Sequence, residues 1–338
     1  MMSVSPAIRP NGAATIRRIG RPMDVILHIG AHRCASTSFQ TYMYHNRENL
    51  LGQGIGVWGP WRTRTGLFRG ILPGPKAATG RDLHRRGVGR VQMQLTRSAG
   101  LGLGTLLVSD ENIMGTMRGN LHMGDLYGGI GERLARYGEA FDGRINSVAL
   151  NIRSLDAYWA SALGYGLTRG RGVPNAAMLN RLATNPRSWR DVITDVACAL
   201  PNARIWALPF EVFAGRPETQ LAALARINAP KTHARDWLNA TPRLPRLRQL
   251  AVELSEGWDL PDGEGRWQPF SPHQIAVMRE AYADDLMWLT GGGDGLARLM
   301  PDPEKLPDIK QAGTHPPRPD MTRGRQHDRP EQRMARAR

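Results

Sequence analysis

The stretch Val25-Ile-Leu-His-Ile-Gly-Ala-His-Arg-Cys-Ala-Ser-Thr-Ser-Phe-Gln40 combines a strand, a tight turn and the start of a helix. Its first residues are mostly apolar, as in a strand buried in a parallel sheet. Gly30 opens the turn, because glycine adopts backbone angles that other residues avoid. The first amides of a helix lack internal partners, and the helix dipole adds about half a positive charge there. With the cation Arg33 inside the loop, the stretch therefore predicts an anion site.

The position of the cation distinguishes between kinds of phosphate loop. The ATP- and GTP-binding loop reads G-x-x-x-x-G-K-[ST]. Aligned on Gly30, its second glycine falls on Ala35 and its lysine falls on Ser36. Only Thr37 fits, and the cation comes three residues before the lysine position, at Arg33. A P-loop kinase or nucleotide hydrolase is therefore disfavoured, and it stays open as an alternative.

A second candidate phosphate site follows a strand predicted over 145–152. Arg153 comes directly after this strand, and Ser161 lies eight residues later, two turns into the next predicted helix. An arginine presents a permanently charged, bidentate fork. A serine hydroxyl two turns along the same helix face can reach the same anion. The pair therefore predicts a second anion site.

The two features together resemble the sulfotransferases that use 3′-phosphoadenosine 5′-phosphosulfate (PAPS). The loop is most similar to a bacterial branch that reads His-x-Gly-x-His-Lys-Thr-Gly-[ST]-Thr-Ser-x-Gln. Here Arg33, Cys34 and Ala35 replace the lysine, hydroxyl and glycine of that pattern. The second site is similar to the pattern Arg-x-Pro-x-Asp-x-x-x-Ser of these enzymes, with Leu155 in place of the proline. The resemblance extends over most of residues 23–290 and depends chiefly on these two motifs.

The resemblance implies a P-loop-like α/β fold and in-line transfer of a sulfuryl group from PAPS to an acceptor hydroxyl or amine, without a metal. A glycan, a lipid and a small metabolite all stay open as acceptors, including anionic and carbohydrate ones. The segment 243–248, with three arginines, is a candidate to complete the 3′-phosphate site. The residues that the resemblance implies for PAPS binding are Arg33, Cys34, Ala35, Ser36, Thr37, Ser38, Arg153 and Ser161.

Two acids follow the strand predicted over 105–109. Asp110 and Glu111 lie at its carboxyl end, where ligands gather in open α/β sheets. The resembling branch carries Ser-x-Glu at this place, so we expect Glu111 to be the general base, with Asp110 as the alternative. Ser109 or Asp110 could equally cap the next helix. The predicted catalytic residues are therefore Glu111, as the base, and Arg33. Arg33 would stabilise the charge that grows on the leaving phosphate.

The net charge of +15 is unevenly distributed. The stretch from Trp61 to Arg97 holds nine arginines and lysines and a single acid, Asp82, so it contributes +8. Such a stretch is either a solvated basic loop or a surface for an anionic partner: a polyphosphorylated cofactor, an acidic glycan, a membrane surface or nucleic acid. Specific nucleic-acid binding is disfavoured, because the interleaved aromatics of a stacking surface are missing. An inactive sulfotransferase-like fold that binds polyanions stays a further alternative.

Strands alternating with helices predict a single α/β domain over residues 23–290, with a mostly parallel central sheet flanked by helices. The flanking residues 1–22 and 291–338 are rich in Pro, Gly and Arg, and are predicted to form a disordered basic arm and a disordered tail. No apolar run approaches the ~20 residues that span a bilayer. Without a secretory signal and with two cysteines, the chain is predicted to be cytoplasmic. Its oligomeric state is not predicted.

Overall fold

A parallel sheet of six strands forms the centre of the fold, in the order β2-β3-β1-β4-β5-β6. This computed structural model describes residues 23–73, 82–302 and 304. Every neighbouring pair of strands is parallel, which confirms the predicted α/β fold. The strands are β1 Asp24–His28, β2 Ile55–Trp58, β3 Thr105–Ser109, β4 Ile145–Ile152, β5 Arg204–Pro209 and β6 Ala297–Leu299.

Helices flank this sheet and connect its strands. The segment Thr63–Leu67 is a wide helical turn, and short 3-10 turns cover Glu111–Ile113 and Gly293–Gly295. The helices are α1 Ser36–His45, α2 Arg47–Gly52, α3 Pro60–Arg62, α4 Leu83–Gly100, α5 Met117–Met123, α6 Ile130–Ala140, α7 Leu155–Leu167, α8 Ala176–Ala183, α9 Trp189–Ala199, α10 Phe210–Phe213, α11 Pro217–Ala225, α12 Leu244–Glu253 and α13 Pro272–Thr290. Within the described ranges, no helix is long and apolar enough to span a bilayer.

The strand order changes direction at β1, and this positions the candidate site. The chain leaves β1 to one side for β2 and β3, and to the other side for β4, β5 and β6. Such a switch point opens a crevice beyond the carboxyl ends of the strands, where α/β proteins bind ligands. His28 at the end of β1 lies beside Ser109 of β3 and Ala149 of β4. The residues that follow these three strands therefore meet at one edge.

Two cores anchor β1 and the helix after it. Val25 and Leu27 face the larger core, whereas Ile26 faces a smaller one with Phe39 and Tyr42 of α1. All five side chains are almost completely buried. Burying a large apolar side chain contributes roughly 1.5–3 kcal/mol. The connection between β1 and α1 is therefore held firmly at both ends.

The sixth strand lies inside the predicted tail. Residues 297–299 of β6 pair with residues 205–207 of β5, and the Met300 amide donates to the Ala207 carbonyl at 2.8 Å. The prediction of a disordered tail from residue 291 is therefore wrong for this part. A strand of three residues is too short to show periodicity, and it forms because the edge of β5 offers hydrogen-bond partners. The predicted arm, 1–22, and the rest of the tail, 305–338, lie outside the described residues.

Candidate functional site

The connection between β1 and α1 forms a compact loop over residues 29–35. Gly30, Arg33 and Ala35 all have left-handed backbone angles, with φ of 43°, 65° and 62°. For a residue with a side chain this conformation costs roughly 1–2 kcal/mol. The neighbouring strand holds the loop in place, because Arg153 Nη1 donates to the Arg33 carbonyl at 2.9 Å. The surroundings therefore stabilise a turn that local preferences disfavour.

The amides at the start of α1 are open. Ala35 stands at the N-cap and provides no side-chain acceptor. Among the described residues, no group accepts a hydrogen bond from the amides of Ser36, Thr37 or Ser38. Free amides and the positive end of the helix dipole attract an anion. The structure thus contains the strand, the turn and the helix start that the sequence predicted here.

A cavity of about 50 Å³ lies in front of this helix end. Six of the eight residues predicted to bind PAPS line it, although they come from two motifs more than 100 residues apart in the chain. These six residues are Arg33, Ala35, Ser36, Thr37, Arg153 and Ser161. The other lining residues are Phe210, Arg266 and the segment Trp237–Thr241, which we call the strap. No lining residue is acidic, so the cavity has the charge of an anion site.

The other two predicted residues, Cys34 and Ser38, do not line the cavity. Burial raises the pKa of the Cys34 thiol to about 12, and the Cys34 amide donates to the Ala31 carbonyl. The Ser38 hydroxyl accepts from the amide of Leu238 at 2.9 Å. Both side chains are buried. Cys34 therefore supports the loop from within, and Ser38 holds the strap, instead of facing a ligand.

The Arg33 side chain extends across the cavity toward α7. Its Nε donates to Ser161 Oγ at 3.0 Å, and its Nη2 donates to Thr241 Oγ1 at 2.9 Å. The same Nη2 donates to the Asn239 carbonyl at 2.7 Å, and the guanidinium lies 4.7 Å from the ring centre of Tyr165. The loop cation is thus in direct contact with a residue of the second motif. The two predicted anion sites adjoin each other within one cavity.

Arg153 is buried with part of its hydrogen-bonding capacity unused. Its side chain is 6% exposed, and its guanidinium lies 4.1 Å from the ring centre of Phe210. Its Nε has no partner in the described part of the chain. Burial and the nearby charge of Arg266 lower the pKa of Arg153 from its ordinary value. An unsatisfied buried donor costs about 1–3 kcal/mol, so an anionic oxygen in the cavity would relieve this group.

Arg266 is the third cation of the cavity, and the sequence analysis missed it. The segment 243–248, which was proposed for this role, has other partners. Arg246 pairs with Glu253 at 2.7 Å, and Arg248 donates to the Pro261 carbonyl at 2.7 Å. Arg266 reaches the cavity because its backbone pairs with that of Arg243 in an isolated bridge. No local pattern around residue 266 indicates this contact.

The strap closes the cavity over the loop. The side-chain amide of Asn239 donates to Thr37 Oγ1 at 3.1 Å, and the hydroxyls of Thr241 and Ser161 are 2.7 Å apart. Asn239 has a left-handed backbone, with φ of 55°. The strap therefore occupies hydroxyl and guanidinium groups that would otherwise be free to bind a ligand.

The two acids after β3 have different surroundings. Asp110 is buried and accepts from Thr63 Oγ1 at 2.6 Å, from Arg64 at 2.7 Å and from the Asn112 amide at 3.0 Å. Through the bond from the Asn112 amide, Asp110 caps the 3-10 turn Glu111–Ile113. Glu111 accepts from Gln40 Nε2 at 2.8 Å and pairs with Arg64 at 2.9 Å. Burial raises the pKa of Glu111, but the Arg64 charge and the Gln40 hydrogen bond outweigh it and leave this pKa below its ordinary value.

A buried polar network centred on His28 supports the loop from below. His28 Nδ1 lies 2.7 Å from Ser109 Oγ, and its Nε2 lies 2.7 Å from Asn151 Oδ1. Gln220 contacts the same Nε2 at 3.1 Å, and Gln40 reaches Ser109 at 3.3 Å. Burial lowers the pKa of His28 to about 4, so the ring is neutral at pH 7. The network links β1, β3 and β4 at the edge where the site lies.

Comparison with models of known protein families, with curated proteins and with solved structures finds no match. In the described residues, no three His, Cys, Asp or Glu side chains lie together as metal ligands would. The functional assignment therefore depends on the geometry and charge of the cavity.

Proposed function

We propose that this protein is a sulfotransferase that moves a sulfuryl group from PAPS to an acceptor hydroxyl or amine. One observation carries the proposal: two motifs distant in sequence contribute to a single cavity that three arginines and no acid line. The orphaned Nε of Arg153 supports an anionic ligand, since a buried donor calls for an acceptor. The sulfuryl donor PAPS carries a 5′-phosphosulfate and a 3′-phosphate, and these two groups would match the two motifs.

The parts of the cavity suit the parts of this nucleotide. The open amides of α1, with Ser36 and Thr37, would hold the 5′-phosphosulfate. Arg153, Ser161 and Arg266 would hold the 3′-phosphate. The rings of Phe210 and Trp237 line the same cavity and present apolar faces of the kind that contact a base. Arg33 lies between the open end of α1 and Ser161, so it would contact both the 5′-phosphosulfate and the 3′-phosphate.

The reaction would exchange one bond to sulfur for another. PAPS supplies the activated sulfuryl group. The acceptor oxygen or nitrogen forms a bond to sulfur, while the bond between sulfur and the bridging phosphate oxygen breaks. The electron pair of that bond stays on the phosphate, where Arg33 and the α1 amides stabilise the growing charge. The proton of the acceptor goes to Glu111, whose lowered pKa keeps it ionised at neutral pH.

The cavity as it stands is too small for a nucleotide. Its volume of about 50 Å³ holds one or two water molecules. Sites for small molecules usually span about 300–1,000 Å³. The strap forms one wall and is held by hydrogen bonds to Arg33 of the loop and to Thr37 and Ser38 of α1. We therefore expect the strap to move outward when the nucleotide enters.

Calorimetric titration with 3′-phosphoadenosine 5′-phosphate, the product nucleotide, tests the proposal directly. We expect it to bind at least tenfold more tightly than AMP, because a single charge-assisted contact to the 3′-phosphate is worth about 1.5–3 kcal/mol. No binding of this nucleotide would refute the proposal. Tighter binding of Mg-ATP would favour the kinase or nucleotide hydrolase instead.

The role of Glu111 has its own test. The Glu111→Gln variant keeps the shape of the side chain and removes the base. We expect about 10²- to 10⁴-fold slower turnover with any acceptor that the wild type uses, because proton transfer by a positioned side chain contributes that much. Binding of the product nucleotide should stay within about twofold, since Glu111 does not line the nucleotide cavity. Unchanged turnover would exclude Glu111 as the base.

A further inference from the structure

The basic stretch between Trp61 and Arg97 has no part in the proposed nucleotide cavity. In the structure its described residues form α3, the turn Thr63–Leu67 and α4. These elements follow β2 and lead to β3, so they begin at the same edge of the sheet as the nucleotide cavity. The stretch is therefore folded close to the predicted acids after β3.

A second cleft lies between this stretch and the residues after β3. Its volume is about 570 Å³, within the range of about 300–1,000 Å³ for small-molecule sites. Its walls come from the turn Thr63–Leu67, from the residues after it and from α6. The lining side chains that matter here are Arg64, Phe68, Arg69, Asp110, Arg133 and Tyr137.

The positive charge of the cleft is only partly compensated. Arg133 donates to the carbonyls of Asn112 and Ile113, at 2.6 and 3.0 Å. These carbonyl oxygens engage two of the five N–H donors of the guanidinium and do not cancel its charge. The Arg69 side chain is exposed and has no partner within the described ranges. Among the described residues that line the cleft, Arg64 is the only cation in a salt bridge, and it pairs with both Asp110 and Glu111. Arg69 and Arg133 form no salt bridge there, although the charge of Asp110 acts on Arg133.

The cleft reaches the proposed reaction centre. Arg64, which lines it, lies 2.9 Å from Glu111, and Glu111 in turn contacts Gln40 of α1 at 2.8 Å. Asn112, another lining residue, lies 3.2 Å from Nε2 of His32 in the loop after β1. Arg64 and Asn112 therefore connect the cleft with the proposed base and with the loop after β1.

Two aromatic side chains also line the cleft. The rings of Phe68 and Tyr137 pack edge to face with their centres 5.1 Å apart, and both line the cleft. Aromatic faces bury the C–H surface of a ring-shaped ligand, and arginines bind carboxylate, sulfate or phosphate oxygens. The combination suits a sugar that carries an anionic group.

We propose that this cleft is the acceptor site and that it takes an anionic sugar. The inference builds on the proposed sulfotransferase function. Arg69 and Arg133 bind the anionic group of the sugar, Phe68 contacts its ring, and a free hydroxyl lies beside Arg64, the lining residue that contacts Glu111. The basic stretch of the sequence then selects the acceptor instead of the donor.

Titration of the full chain with two defined disaccharides tests this site. One disaccharide carries a carboxylate and an O-sulfate, and the other is neutral with the same rings. We expect the charged one to bind at least tenfold more tightly. Arg69→Ala should weaken its binding up to about fivefold, and Arg69→Glu by more, because a solvent-exposed ion pair contributes up to about 1 kcal/mol. The matched control is Arg298→Ala on β6, which removes an exposed arginine at the opposite edge of the sheet and should change nothing.

Several outcomes would overturn the inference. Equal binding of the neutral disaccharide would show that the cleft does not recognise the anionic group. An equal loss in Arg298→Ala would show that only the net charge of the protein matters. Tighter binding of a DNA duplex, lost in Arg69→Glu, would assign the cleft to nucleic acid. All variants are also titrated with the product nucleotide, whose binding should not change. If the wild type does not bind that nucleotide, the proposed function fails and the cleft is not an acceptor site; if it binds while Arg69→Glu leaves the disaccharide unaffected, only this inference fails.

Discussion

Replacing Arg153 separates nucleotide binding from stability. Arg153→Met keeps an unbranched apolar stem and removes the charge together with all N–H donors. The variant loses the hydrogen bond to the Arg33 carbonyl, which is worth roughly 1–3 kcal/mol. It also loses the contact of the guanidinium with the Phe210 ring, which is worth about 2 kcal/mol. It also removes a buried charge and the orphaned Nε, which costs about 1–3 kcal/mol in the wild type. We therefore expect the free energy of unfolding to fall by no more than about 4 kcal/mol.

Nucleotide binding should change selectively. A charge-assisted hydrogen bond to the 3′-phosphate is worth about 1.5–3 kcal/mol, so 3′-phosphoadenosine 5′-phosphate should bind about 10- to 150-fold more weakly. AMP lacks this phosphate, and its affinity should change less than about threefold. Parallel calorimetric titrations with both nucleotides measure the difference, and urea unfolding measures the stability. Arg298→Met on β6 is the matched control for the loss of one arginine.

Equal losses for the two nucleotides would refute the assignment of Arg153 to the 3′-phosphate. A loss of more than about 4 kcal/mol in unfolding free energy would instead show that Arg153 is a structural residue. In that case the orphaned Nε would not indicate a ligand.

Three further variants probe the loop, the strap and the network below them. Asn239→Gly removes the side-chain hydrogen bond to Thr37 and relieves the strain of a left-handed backbone. Because one hydrogen bond is worth about 0.5–1.5 kcal/mol, we expect the nucleotide to associate about 2- to 10-fold faster in stopped-flow measurements. Slower association would contradict the role of the strap as a closing wall. Ala35→Gly removes side-chain strain at φ of 62°, and we expect urea unfolding to show a gain of about 0.5–1 kcal/mol, whereas a loss would mean that the turn is not strained. Burial lowers the pKa of His28 from 6.5 to about 4, so the unfolded chain binds more protons between these values and stability falls as the pH drops through this window. Between pH 6.5 and 4, we expect the free energy of unfolding, measured in urea, to fall by about 3 kcal/mol more in the wild type than in His28→Gln. Equal losses in the two proteins would show that His28 is not buried in its neutral form.

Local patterns were enough to find the loop, the second motif and the fold class. The apolar run from Val25 to Leu27 and the helical spacing after Thr37 can be recognised from neighbouring residues alone. The pair Arg153 and Ser161 is also local, because Arg153 directly follows β4 and Ser161 lies two turns into α7, only eight residues later. These features therefore agree with the structure.

Other features required the folded chain. Arg266 reaches the cavity through a backbone bridge to Arg243, and the strap reaches Thr37 from about 200 residues away. The Arg33 side chain has many rotamers, and its contacts with Ser161 and the strap select one of them. None of these contacts has a sequence period that could indicate it.

The loop after β1 shows most clearly which features follow from the sequence and which require the folded chain. Its strand, turn and helix follow from the order of apolar, glycine and hydroxyl residues, because short-range sterics and helix ends are properties of adjacent residues. The direction of the Arg33 side chain, the burial of Cys34 beneath the loop and the strap above it depend on packing between distant segments. Packing of this kind is decided by the whole fold, since each side chain takes the space and the partners that the others leave.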